Sequence, residues 1–134
     1  MALLPFRDYL AAAAEAAKDR GLASPLAVFL STDDPGVLRD AKARARAAGW
    51  TLMYVPFERR VEMDLNARGD VVVLHALEGL LVHVGAAAWV GTRASNWDRL
   101  IDELRQTWAG AAEVEAPYVA VGKGAYSGEQ FGWR

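Results

Sequence analysis

A chain of 134 residues, 53% of them hydrophobic, has the size of one domain and can bury a modest core. Fifteen basic residues against seventeen acidic ones leave a formal charge of −2, which gives no electrostatic basis for binding nucleic acid or an anionic membrane surface. The absence of cysteine excludes disulfides, thiolate chemistry and cysteine-ligated metals, and no stretch reaches the roughly 18 consecutive apolar residues of a membrane span.

Residues 6–20 predict a helix. Phe6, Leu10, Ala13, Ala14 and Ala17 form a narrow apolar stripe between charges, and Gly21 suits the left-handed position after a helix end. Residues 26–30, LAVFL, are an apolar run of strand length, expected to be buried on both faces. The polar string Ser31-Thr32-Asp33-Asp34 follows. Asp34 is a natural N-cap and Pro35 a natural first residue of a helix over 35–48. Val37, Leu38, Ala41, Ala45 and Ala48 should face inward, with Arg39, Lys42, Arg44 and Arg46 mostly outward. Gly49 ends the helix and residues 50–55 form the next strand, so the crossover is long enough for parallel pairing. The polar residues 56–69 read as a surface loop with one helical turn.

Residues 70–85, DVVVLHALEGLLVHVG, are too long an apolar run for one strand. A buried helix over about 70–84 is expected despite its valines. His75, Gly79 and His83 share one face of it, and Glu78 lies beside His75. The two histidines stand about two turns apart, too far for one ion at ideal helical rise, so no metal site is expected.

Residues 87–91 are small or apolar, as in a buried strand. Trp97, Leu100, Ile101, Leu104 and Trp108 then mark one face of a helix, with Ser95 where an N-cap belongs. Asp98 resembles the acidic half of a capping box. A strand entering a helix start presents backbone N–H groups and the positive end of a dipole. Thr92, Ser95 and Asn96 add donors and Arg93 adds charge, making residues 92–96 a candidate phosphate or diphosphate seat. Residues 110–116 read as a turn and 117–121 as a further strand. The Gly-rich tail, 122–134, has Tyr126, Phe131 and Trp133 as docking residues. Its Gly-Lys-Gly lacks the spacing and the following Ser/Thr of a phosphate loop.

The loops at 31–34 and 92–96 each follow the carboxyl end of a strand. In one parallel sheet they would open on one edge, where ligands of open α/β sheets bind. Paired Asp residues can serve acid/base chemistry, hold a cation or cap a helix, and by themselves they favour capping.

Taken together, two stretches resemble a known family. VFLSTDDPGVLRDAKA (28–43) is similar to the strand–TDDP–helix motif of the α1,6-fucosyltransferases of the N-glycan core. GTRASNWDRLIDELRQT (91–107) is similar to their later C-T-F-S-S…R-x-x-Y-E-x-x-Q-T motif, in the same order. The resemblance covers about residues 6–108. It implies an α/β fold, a three-layer Rossmann-like parallel sheet flanked by helices, forming half of a GT-B-like catalytic region. Residues 1–116 would be a GDP-sugar-binding domain and 117–134 a C-terminal strand and tail. The implied activity is transfer of fucose from GDP-fucose to an N-glycan acceptor, with inversion and without metal or other cofactor. A family member ordinarily works in the Golgi, although MALLPFRDYL carries no signal-peptide pattern.

The roles the resemblance implies are specific. Asp33 and Asp34 match the acidic pair beside the active site. Ser95 matches the second Ser of the family's S-S pair, which contacts the diphosphate. Asn96 matches the residue after it, and Thr92 the Thr that shapes the loop. Arg93 joins this donor-binding set. The first Ser of the pair is Ala94 here, and the family's donor-contacting Asp falls on Gly79, with Glu78 one residue away as its substitute. The family's H-x-R-R-x-D motif has no counterpart, since Arg59-Arg60 stands in another context and order. A departing diphosphate needs cationic stabilisation, so the chain alone is expected to lack fucosyltransferase turnover and to need a missing N-terminal half or a partner chain. The alternatives are a non-catalytic nucleotide-sugar or glycan-binding module, and a small α/β interaction domain built around Asp33 and Asp34.

Overall fold

The computed structural model describes residues 5–55, 65–92, 95–107 and 118–121. Within them the protein is a mixed α/β chain with parallel strands, divided into two compact units, Ala23–His83 and Met1–Leu22 with Val84–Arg134.

The first unit contains β1 (Ala27–Phe29), α1's successor α2 (Pro35–Ala47), β2 (Thr51–Met53) and most of α3 (Leu65–Gly85), where α1 is the N-terminal helix Phe6–Asp19. β1 and β2 pair in parallel, with Val28 opposite Leu52, and α2 packs on β2. Pro35 at the first helical turn and Asp34 before it start α2. Gly49 ends the connection at a φ of 69°, which a side chain with Cβ rarely adopts. Ala41 and Ala45 are buried and the four basic side chains are exposed, as the periodicity requires. Ala48 is exposed, because it is already the C-cap. β1 departs from its expected double burial: Ala27 is exposed and Val28 and Phe29 are half-buried, because β2 is its sole partner strand among the described residues.

The helix expected at 70–84 is present and longer, since it begins at Leu65 within the stretch read as loop. It is not buried all round. Gly79, Leu80 and His83 are buried, but Val73, Leu74, Leu77, Leu81 and Val82 are exposed. An apolar sequence specifies a helix that can be buried, whereas the extent of cover depends on what the fold places around it.

The second unit contains α1, β3 (Trp89–Gly91), α4 (Asn96–Thr107) and β4 (Tyr118–Ala120). β3 and β4 pair in parallel, with Trp89 opposite Tyr118 and Gly91 opposite Ala120, and α1 packs on both. Ala16, Ala17, Trp89, Ile101 and Val121 are its buried apolar residues. The stripe of α1 is therefore displaced, with Ala16 buried and Ala14 exposed. On α4, Leu100 is exposed and Arg105 is buried, so the buried face is rotated from the apolar one toward Arg105.

The described strands thus form two two-stranded parallel sheets, and the loops at 31–34 and 92–96 belong to different units. Arg59-Arg60, Arg93, Trp108, the 110–116 turn and the 122–134 tail lie outside the described residues.

Candidate functional site

The β1–α2 junction is built by short side chains that bond their own backbone. The Asp34 N–H donates to Thr32 Oγ1 at 3.2 Å. Asp34 Oδ1 in turn accepts from the N–H groups of Gly36 at 2.6 Å and Val37 at 3.3 Å. These are donors that a helix start leaves without intrahelical partners, so the carboxylate of Asp34 is engaged as an N-cap. A Cβ on Gly36 would lie 3.0 Å from that oxygen, which leaves glycine as the residue that fits closely beneath the cap. Asp33 is exposed beside it. Asp34→Ala is expected to lower stability by about 1 kcal/mol and Asp34→Asn by much less, measured by urea unfolding. Equal losses in the two variants would show that the carboxylate does more than cap.

Ser31 opens this loop. Its hydroxyl lies 2.8 Å from Nε2 of His83, which is only 4% exposed. The His83 ring meets Phe29 edge to face at 4.9 Å between centroids. A Cβ on Gly79 would come within 3.4 Å of Ser31 Oγ, so α3 approaches the end of β1 closely at its glycine. Sequence spacing set His83 beside His75 on one helical face, whereas its bonded partner is 52 residues away in the chain. Gly79 on that same face was the available signal of a close approach. Glu78 is exposed on α3, and among the described residues no group of three metal-ligating side chains comes together.

The β3–α4 junction was expected to hold an anion, and it holds a carboxylate of its own. The Ser95 N–H donates to the Thr92 carbonyl at 3.0 Å, which tightens the loop. Ser95 Oγ accepts from the Asp98 N–H at 3.2 Å, as an N-cap does. The reciprocal half of the capping box differs from expectation. Asp98 Oδ2 accepts from the N–H of Thr92 at 2.6 Å instead of from the cap residue itself. Gly91 makes room for this, since a Cβ there would lie 2.9 Å from the Asp98 carboxyl. The Arg99 guanidinium donates to Asn96 Oδ1. Among the described residues Ser95 keeps a hydroxyl proton to donate and Asn96 keeps its NH₂. An anion on these groups would be close in sequence and space to the Asp98 charge.

Burial pushes the Asp98 carboxyl above the ordinary carboxylate range, and the Thr92 N–H pulls it down less strongly. Tyr9 is also pushed up, first by burial and then by the charges of Asp98 and Asp8. A carboxyl raised on folding favours the folded state most below its unfolded pKa, and this contribution is lost as pH rises through the folded value. Asp98→Asn retains an acceptor for Thr92 but cannot titrate. Its stability relative to the parent should therefore rise as pH increases from about 4 through the raised value, read as urea midpoints across pH. Parallel profiles for the two proteins would contradict a titrating Asp98.

A residue absent from the expected set is Arg105. It is 5% exposed, and its Nη1 donates to the carbonyls of Val84 at 3.0 Å and Ala86 at 2.7 Å. Burial lowers its pKa, with the like charge of Arg20 adding to this and Asp102 opposing it.

No protein-family model, curated protein or solved structure matches the chain. No helix among the described residues is long and apolar enough to cross a membrane.

Proposed function

We propose that the chain is a glycosyltransferase-type domain, the donor-binding part of an α1,6-fucosyltransferase that takes GDP-fucose and acts on N-glycans. The fold that goes with this reading is a three-layer Rossmann-like parallel sheet flanked by helices, half of a GT-B-like catalytic region. One observation supports it most. The TDDP stretch follows the parallel strand β1 and leads into α2, and Thr92 and Ser95 of the later stretch lie between the parallel strand β3 and the start of α4. That is the placement in which α/β proteins hold nucleotide phosphates.

In this reading the roles are those the resemblance implies: Thr92, Arg93, Ser95 and Asn96 for the diphosphate, Glu78 as substitute for the family's donor-contacting Asp, and Asp33 and Asp34 as the acidic pair. The internal bonds restrict these roles. Asp34 acts mainly by shaping its loop, because Oδ1 caps α2, and Asp33 is exposed beside it. Thr92 contributes by position, because its N–H is bonded to Asp98. In this reading the acceptor is a glycan, and the residues that bind it belong to a missing N-terminal half or a partner chain.

Calorimetric titration with GDP and with GDP-fucose tests the reading. Saturable binding is expected, weakened about 10-fold or more in Ser95→Ala, the loss that one hydrogen bond to a charged group implies. Absence of binding to both ligands would overturn it. The engaged carboxylates of Asp34 and Asp98 and the exposed apolar face of α3 favour a second reading, a small α/β interaction module. That reading expects no heat from either nucleotide.

A further inference from the structure

The pair formed by Ser31 and His83 has no part in nucleotide binding as proposed above, and it carries an inference independent of that reading. Ser31 is exposed at the carboxyl end of β1, while His83 is almost fully buried beneath it. The 2.8 Å separation of Oγ and Nε2 is hydrogen-bond distance for a hydroxyl and an imidazole. The ring is held by Phe29 packed edge to face against it. Gly79 lets the α3 backbone come close to the same contact, since a Cβ there would lie 3.4 Å from Ser31 Oγ and 4.0 Å from Phe29 Cε1. An exposed serine, a base within bonding reach of its hydroxyl, and a third group that packs against the base are the parts of an activated nucleophile.

We propose that Ser31 and His83 form a nucleophile–base pair that accepts acyl groups from small activated carboxylic esters. With the imidazole neutral and its proton on Nδ1, the Ser31 hydroxyl donates to Nε2. Oγ attacks the ester carbonyl carbon, and its proton passes to Nε2. The bond from that carbon to the leaving-group oxygen breaks, and the leaving group takes the proton from Nε2. Water then attacks the acyl-Ser31 carbonyl carbon, again giving a proton to Nε2. Collapse releases the carboxylic acid and returns that proton to Ser31 Oγ. No oxidant, reductant or metal enters the balance. Activated esters are the fitting class because a good leaving group places less demand on donors to the developing oxyanion.

The test uses the full chain and a fluorophosphonate probe, with the labelled site mapped by peptide mass spectrometry. Here Oγ bonds to phosphorus, the P–F bond breaks and fluoride leaves, while the proton goes to His83. Labelling is expected at Ser31 about 100-fold faster than at Ser24, Ser95 or Ser127, the lower end of what a positioned base contributes. p-Nitrophenyl acetate should acetylate the same residue, with a burst of one equivalent of p-nitrophenol per chain followed by slower release as the acyl-Ser31 is hydrolysed. His83→Gln, with its fold checked by circular dichroism, should lose the advantage at Ser31. No labelling, even labelling of all four serines, or undiminished labelling in folded His83→Gln would each overturn the proposal. The mapping on the parent chain decides the matter even where the variant does not fold. None of these outcomes depends on GDP.

Discussion

Ile101→Ala is expected to lower the stability of the protein by about 3–4 kcal/mol, from the range found for large-to-small substitutions in cores. Ile101 is 0% exposed and is the largest fully buried side chain among the described residues. The truncation removes buried apolar surface and leaves a cavity. Leu100, the adjacent residue, is 38% exposed, and Leu100→Ala should cost well under half as much. Urea unfolding followed by circular dichroism compares the two. Equal losses would mean that the buried face of α4 is misassigned.

Arg105→Ala should be the other large loss, about 2–3 kcal/mol, because hydrogen bonds from a charged donor contribute more than neutral ones. Val84 is in the last turn of α3 and Ala86 follows its end, so their carbonyls face the shortage of donors common to helix C-termini. A cation is also favoured there by the helix dipole. Arg105→Lys should recover part of the loss, since an ammonium can donate but is shorter and more strongly hydrated than a guanidinium. The cost of burying the charge, visible in its lowered pKa, limits what the pair of bonds contributes. If Arg105→Ala unfolds at the parent's urea midpoint, the two bonds do not hold the chain together.

How far the fold could be read in advance varied with the range of the interactions concerned. The start of α2 was legible to the residue, because Asp34 and Pro35 act on their own neighbours. Gly21 and Gly49 marked the ends of helices and take φ of 63° and 69° there. Ser95 caps α4 as its position implied. In contrast, Asp98 was expected to close a local capping box and instead reaches the N–H of Thr92, six residues back. Its choice depends on the loop carried by β3 and on the space beside Gly91, which no local pattern contains. Arg105 was invisible for a related reason: a charged residue on an amphipathic helix is normally solvated, and its burial follows from two carbonyls presented by another segment.

The candidate site divides along the same line. Residue order alone specified two strand–loop–helix junctions, their caps and an apolar helix between them, because capping, turn chemistry and helical periodicity are settled within a few residues. Three-dimensional packing determined which donors and acceptors at those junctions are already engaged. It bonded Asp98 to the backbone of the candidate anion seat, brought His83 to Ser31, and left one face of α3 uncovered. Each of these outcomes joins segments that are separate along the chain or rests on the amount of surface a neighbour can cover, and such quantities exist only once the elements have met.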